Sequence, residues 1–129
     1  RWELSWRAHY LYNLKNDSPA ASRPQQINGQ TVTNTQAGDA AWVNFAASYA
    51  VTPEVSLGIN GYYFEQLSNH RANGVELADS RERVLGIGPG LMWRIDPKKA
   101  LWINAYTESM ARNRAASALN LQVRTVFAF

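Results

Sequence analysis

The chain has 129 residues, 46% apolar and 12% aromatic, with a net charge of +3 and no cysteine. The lack of thiols excludes a disulfide framework and any thiolate metal centre. The mean hydropathy is −0.37, and no apolar run approaches the roughly 18 residues that a spanning helix needs, so helical membrane insertion is excluded as well.

The first predicted strand covers about residues 2 to 13. Trp2, Leu4, Trp6, Ala8, Tyr10 and Tyr12 alternate there with Glu3, Ser5, Arg7, His9, Leu11 and Asn13, the period-2 pattern of an extended segment with two unlike faces. The chain starts inside this pattern with no initiator Met and no leader, so it reads as a mature fragment with earlier strands of the same protein expected upstream. A polar segment at about 14 to 38, rich in Asn, Gln, Ser, Thr and Pro, is expected to be mobile or folded over one end, where it could gate access. The second strand, about 39 to 51, carries Ala41, Val43, Phe45, Ala47, Tyr49 and Val51 on its apolar side.

After a tight turn at 52 to 54, the third strand runs from about 55 to 67, with Val55, Leu57, Ile59, Gly61 and Tyr63 opposing Ser56, Gly58, Asn60, Tyr62, Phe64 and Gln66. The fourth, about 82 to 95, sets Leu85, Ile87, Pro89, Leu91, Trp93 and Ile95 against Gly86, Gly88, Gly90, Met92 and Arg94. Three glycines in phase leave one face of that strand bare, so something can approach its backbone closely. A bend or an inward plug is the expected reason, ahead of direct ligand contact. Pro89 supports a kink because it cannot donate to the ladder. A dinucleotide fingerprint is ruled out by the spacing and by the lack of a following helical pattern.

A turn at 96 to 99 leads to the fifth strand, where Leu101, Ile103, Ala105 and Thr107 oppose Trp102, Asn104, Tyr106, Glu108, Met110 and Arg112. The last eleven residues set Leu119, Leu121, Val123, Thr125, Phe127 and Phe129 against Asn120, Gln122 and Arg124. The connections at about 14 to 38, 68 to 81 and 113 to 117 share one end of the structure, and the short turns share the other.

Strands greasy on one face and wetted on the other, each above the roughly 9 to 11 residues needed to cross a hydrocarbon layer at a tilt, fit an all-β, antiparallel up-and-down transmembrane β-barrel. Interfacial girdles would suit the five Trp and six Tyr. The ending resembles the C-terminal signal of bacterial outer-membrane barrels, which makes Phe127 and Phe129 a candidate insertion signal and the bacterial outer membrane the expected location. Single-chain barrels have about eight strands or more, so six strands form only part of one, and residues 1–129 are expected to be the C-terminal portion of a single barrel domain.

The run Leu85, Gly86, Ile87, Gly88, Pro89 and Gly90, the Asp96 and Pro97 turn, Asn104, Tyr106 and Glu108, Asn113 and Arg114, and the closing run to Phe129 carry a closer likeness. On these residues the chain resembles the outer-membrane channel family named for meta-pathway phenol degradation. A glycine common in that family shortly after the Asn and Arg pair is replaced here by Ser117. The resemblance implies a barrel of about a dozen strands for passive uptake of small hydrophobic or aromatic molecules.

The candidate pore-lining residues are Glu3, Arg7, His9, Asn60, Tyr62, Arg94, Asn104, Tyr106, Glu108, Arg112, Gln122 and Arg124. Opposite charges on such a wall create a transverse field that orients polar permeants. The alternative is a sealed structural or anchoring barrel in which they pair and fill the interior. Lys15, Arg23, Arg71, Arg81, Arg83, Arg112 and Arg114 gather at the long-loop end, where lipopolysaccharide phosphates would be natural partners beside the lipid bilayer. Ser68 near His70 and Ser5 near His9 lack a third orienting group, so catalysis is not expected. No cofactor or metal is expected, since Asp17, Glu76, Asp79 and Glu82 are too dispersed for a calcium loop. A nucleic-acid partner is not expected either, because the basic residues form no stripe.

Overall fold

The computed structural model describes residues 1–20 and 24–128, and no helix occurs among them. In chain order the strands are β1 (Trp2–Leu11), β2 (Gln26–Ile27), β3 (Gln30–Thr31), β4 (Thr35–Gln36), β5 (Ala40–Ala50), β6 (Val55–Gln66), β7 (Arg71–Ala72), β8 (Val75–Glu76), β9 (Arg83–Asp96), β10 (Lys99–Arg112) and β11 (Asn120–Phe127). The six long strands form one antiparallel sheet in the order β1-β5-β6-β9-β10-β11, a meander in which each strand pairs with its neighbours in the chain. Among the described residues β1 pairs only with β5, and β11 only with β10.

Direct cross-strand partners share a face, so the registers sort the side chains into rows. One row reads Glu3, Ser48, Gly58, Gly90, Asn104 and Gln122. A row on the opposite face reads Trp2, Tyr49, Leu57, Leu91, Ile103 and Val123. Ser5 and Arg7 of β1 border the same hollow as Gln122 and Arg124 of β11, so the sheet is curled with the polar rows inside. The apolar rows are outside and uncovered: Trp2, Leu4 and Trp6 keep 77, 78 and 76% of their surface.

Two tight turns close one end. Between β5 and β6 the Thr52 hydroxyl accepts from the amides of Glu54 and Val55. Between β9 and β10 the Lys98 amide donates to Asp96 at 2.8 Å, and Lys99 pairs with the same carboxylate at 3.2 Å. Local Asx and hydroxyl turns of this kind fix the register of the strands that follow.

The opposite end carries more structure than a polar loop would suggest. Asn28 and Gly29 (φ 51° and 75°) turn β2 into β3, and Asn73 and Gly74 (φ 49° and 77°) turn β7 into β8. Both are the left-handed pairs that two-residue hairpins require. β4 pairs with β7, tying segment 14–38 to segment 67–82. This pairing prolongs the β5–β6 ladder: from Ala40↔Gln66 to Gln36↔Arg71 one side advances four residues and the other five. The extra residue marks an irregular step around Gly38, where a Cβ would fall on the Ser68 carbonyl. A small core of Val32, Ala40, Ala72 and Val84 lies at this end.

One expectation is narrowed and one changes. Pro89 causes no register slip: Ile59↔Pro89 continues the β6–β9 ladder, and Asn104↔Gly90 and Thr107↔Ile87 hold one register on β10. Between those two pairs the rungs opposite Pro89 and Gly88 are missing, as a residue without N–H would leave them. The register shifts instead near the two ends of this ladder, between Lys99 and Ala100 and between Ser109 and Arg112, where Met110 adopts φ 54°. This bulge sets Arg112 opposite Arg83, on the rows of Glu65 and Leu85, and so takes it off the inner face on which alternation had placed it.

Candidate functional site on the inner face

The bare strip of β9 decides how the inner face is filled. A Cβ at Gly86 would strike the Tyr62 ring, one at Gly88 would strike the Ala105 carbonyl, and one at Gly90 would lie 2.7 Å from Asn104 Oδ1 and 3.0 Å from Asn60 Nδ2. The close approach is therefore made by the two flanking strands: the Tyr62, Asn60 and Asn104 side chains of β6 and β10 lie over Gly86 and Gly90 and meet one another, while the β10 backbone at Ala105 lies against Gly88.

Asn60 Nδ2 donates to Asn104 Oδ1 at 2.7 Å and to the Tyr106 hydroxyl at 3.3 Å. The Tyr62 and Tyr106 rings meet edge to face with centroids 5.4 Å apart. The Tyr62 hydroxyl donates to Glu108 Oε1 at 2.6 Å, the Ser117 amide donates to Oε2 at 2.8 Å, and Arg114 approaches Oε1 at 3.3 Å. Glu108 keeps only 5% of its side-chain surface exposed, so these donors replace most of its hydration. Hydrogen bonds to an ionised acceptor are roughly twice as strong as neutral ones, so this carboxylate ties β6, β10 and the 113–119 loop together. Asn60 Oδ1 is buried with no partner.

Two hollows border this cluster. One, of about 260 Å³, is lined by Glu3, Ser48, Gly58, Met92, Trp102 and Asn104 among others. The other, of about 500 Å³, is lined by Arg7 and Asn44 from one rim, Gln122 and Arg124 from the other, and Tyr62 and Tyr106 between them. The Arg124 guanidinium lies over the Trp102 ring at 4.8 Å. Nearer the long-loop end, His9 stacks on Trp42 at 4.7 Å with planes 9° apart, and Trp42 meets Phe64 at 6.5 Å.

Of the residues singled out in the sequence, Asn60, Tyr62, Asn104, Tyr106 and Glu108 form the bonded cluster, and Arg7, Gln122 and Arg124 face the larger hollow. Glu3 borders the smaller one. His9 belongs to the aromatic stack, with Nε2 buried and unpartnered. Arg94 stands apart at the short-turn end, exposed, its amide donating to the Glu54 carbonyl. Arg112 pairs with Asp79 outside the face. Phe127 is exposed on the outer side, while Phe129 and Arg23 lie outside the described residues.

Two contributors, Asn44 and Trp42, were not singled out, and two that were, Arg114 and Ser117, were not expected to meet Glu108. Asn44 sits between Arg7 and Tyr62 in its row and could have been found as the one amide in phase opposite the apolar side of its strand. Trp42 shares that phase. Arg114 and Ser117 reach Glu108 only through the loop geometry, for which no local pattern exists.

Ser68 and His70 act on the backbone instead of on each other: Ser68 Oγ accepts from the Asp39 amide and His70 Nδ1 from the Gly38 amide. Three of the loop-end cations are matched internally, Lys15 with Asp17, Arg112 with Asp79 and Arg114 with Glu108. Among the described residues no three His, Cys, Asp or Glu converge as metal ligands would.

Compared with known proteins, residues 1–124 match the family described as "Putative MetA-pathway of phenol degradation". No curated protein and no solved structure matches the chain.

Proposed function

The chain belongs to this phenol-degradation family, and from that premise we propose that it is part of an outer-membrane β-barrel channel for passive uptake of small hydrophobic or aromatic molecules. The observation that carries the reading is the contrast between the faces of one sheet. Outside, Trp2, Leu4, Trp6, Leu57, Ile59, Ile87 and Val123 stand uncovered. Inside are amides, tyrosine hydroxyls, carboxylates and guanidiniums. A contiguous apolar surface of this extent is foreign to water and native to hydrocarbon.

The sides of β1 and β11 that pair with no strand among the described residues fit the same picture. Edge amides and carbonyls left open in lipid cost several kcal/mol each, so further strands of the same protein would join both edges and close the cylinder. The long-loop end faces outward, where Arg71 and Arg81 meet lipopolysaccharide phosphates, and the short turns face the periplasm.

A sealed, anchoring barrel is the second reading, and one observation favours it: the Asn60, Asn104, Tyr62, Tyr106 and Glu108 cluster is bonded side to side across three strands. Liposome swelling with the full-length protein separates the two. Faster penetration of small aromatic solutes than into protein-free liposomes supports the channel, whereas correct insertion without penetration supports the sealed barrel.

A further inference from the structure

We propose that the larger hollow is a binding station for a small aromatic carboxylate; this rests on the channel reading and specifies its permeant. Arg7 on one rim strand and Arg124 on the other face a space of about 500 Å³ that no carboxylate of the described residues borders. Neither arginine is ion-paired with a described residue. Glu108, on the same row as Tyr62, is already engaged by Tyr62, Ser117 and Arg114. Among the described residues, therefore, the hollow carries positive charge that no carboxylate matches, and a recessed site screens such charge less than open water does.

Shape narrows the choice of anion. The Arg124 guanidinium lies 4.8 Å from the centre of the Trp102 ring and is not ion-paired with a described residue, and a guanidinium can grip a carboxylate through two parallel bonds. Between the rims, the edge-to-face Tyr62 and Tyr106 pair forms a ring-sized wall, with Asn44 and Gln122 as flanking donors. A neutral aromatic would use the wall and leave both guanidiniums unmatched. An inorganic anion would use the guanidiniums and waste the wall. A singly charged aromatic acid meets both features while balancing only one of the two cations, so it can still leave.

The test uses the full-length protein in detergent micelles, titrated with benzoate and with its neutral isostere benzamide by saturation-transfer NMR. Benzoate is expected to bind about tenfold more tightly, a difference of about 1.4 kcal/mol. The double variant Arg7→Gln, Arg124→Gln is expected to erase that preference while its circular dichroism stays unchanged. Equal affinities, no binding of benzoate, or a preference that survives in the double variant overturns the proposal. Liposome uptake separates this failure from that of the channel reading. Solute passage without a benzoate preference sinks the station and spares the channel, and a benzoate preference without passage does the reverse.

Discussion

Replacing Glu108 by alanine should be among the most damaging single changes to the inner face. The carboxylate is 5% exposed and accepts from the Tyr62 hydroxyl at 2.6 Å and the Ser117 amide at 2.8 Å. Each bond to a charged acceptor is worth about 1.5–3 kcal/mol, and both donors would be left facing a gap. Arg114, 35% exposed and 3.3 Å away, recovers water when its partner goes, so its share is below about 1 kcal/mol. Glu108→Ala is therefore expected to cost about 3–5 kcal/mol, the range found when one member of a buried pair is removed. Glu108→Gln keeps one acceptor and should fall between the variant and the native protein. Tyr62→Phe removes one donor and should cost about 1–2 kcal/mol. The assay is urea unfolding of full-length protein in phospholipid vesicles, followed by tryptophan fluorescence and extrapolated linearly. A Glu108→Ala midpoint within about 1 kcal/mol of native at unchanged slope would show that the carboxylate does not hold these strands together.

Other expectations concern the outer face, the bare strip and the loop end. Ile59→Arg should destabilise the protein in vesicles by about 2–4 kcal/mol if its side of the sheet meets lipid, and by little if it meets water; the same unfolding assay reads it. Gly86→Val should cost about 1–3 kcal/mol by driving the Tyr62 ring off the strip. Adding Tyr62→Ala to that variant should recover part of the loss, a coupling that a double-mutant cycle measures. Asn73 accepts from the Thr33 and Asn34 amides and donates to the Thr31 carbonyl. Asn73→Ala should speed proteolysis within 24–38 and 67–82, while the six-stranded sheet stays within about 0.5 kcal/mol of native.

The long strands were legible because two unlike environments impose a strict period of two. The expected span 55 to 67 became Val55–Gln66, and 39 to 51 became Ala40–Ala50. Alternation carries no information about where it will be interrupted. A left-handed Met110 moved Arg112 to the other face, and nothing in Glu108 to Arg112 signals it. The short hairpins were legible and passed over: Asn28-Gly29 and Asn73-Gly74 are strong two-residue turn signals inside segments that read as polar loop. At the site, phase alone put Asn60, Tyr62, Asn104, Tyr106 and Glu108 on one face, but it could not show that they lie over the glycines of the strand between them. That depends on the registers β6 and β10 each adopt against β9, which are properties of pairing and not of any one strand.

The ribbon formed by β4 and β7 is an outward prolongation of β5 and β6, and those two strands also carry Asn44, Asn60 and Tyr62. Anything that grips this ribbon at its tip thereby takes hold of the hollow's wall. An antibody that seizes the tip would pull on the interior through continuous backbone, across the irregular step at Gly38.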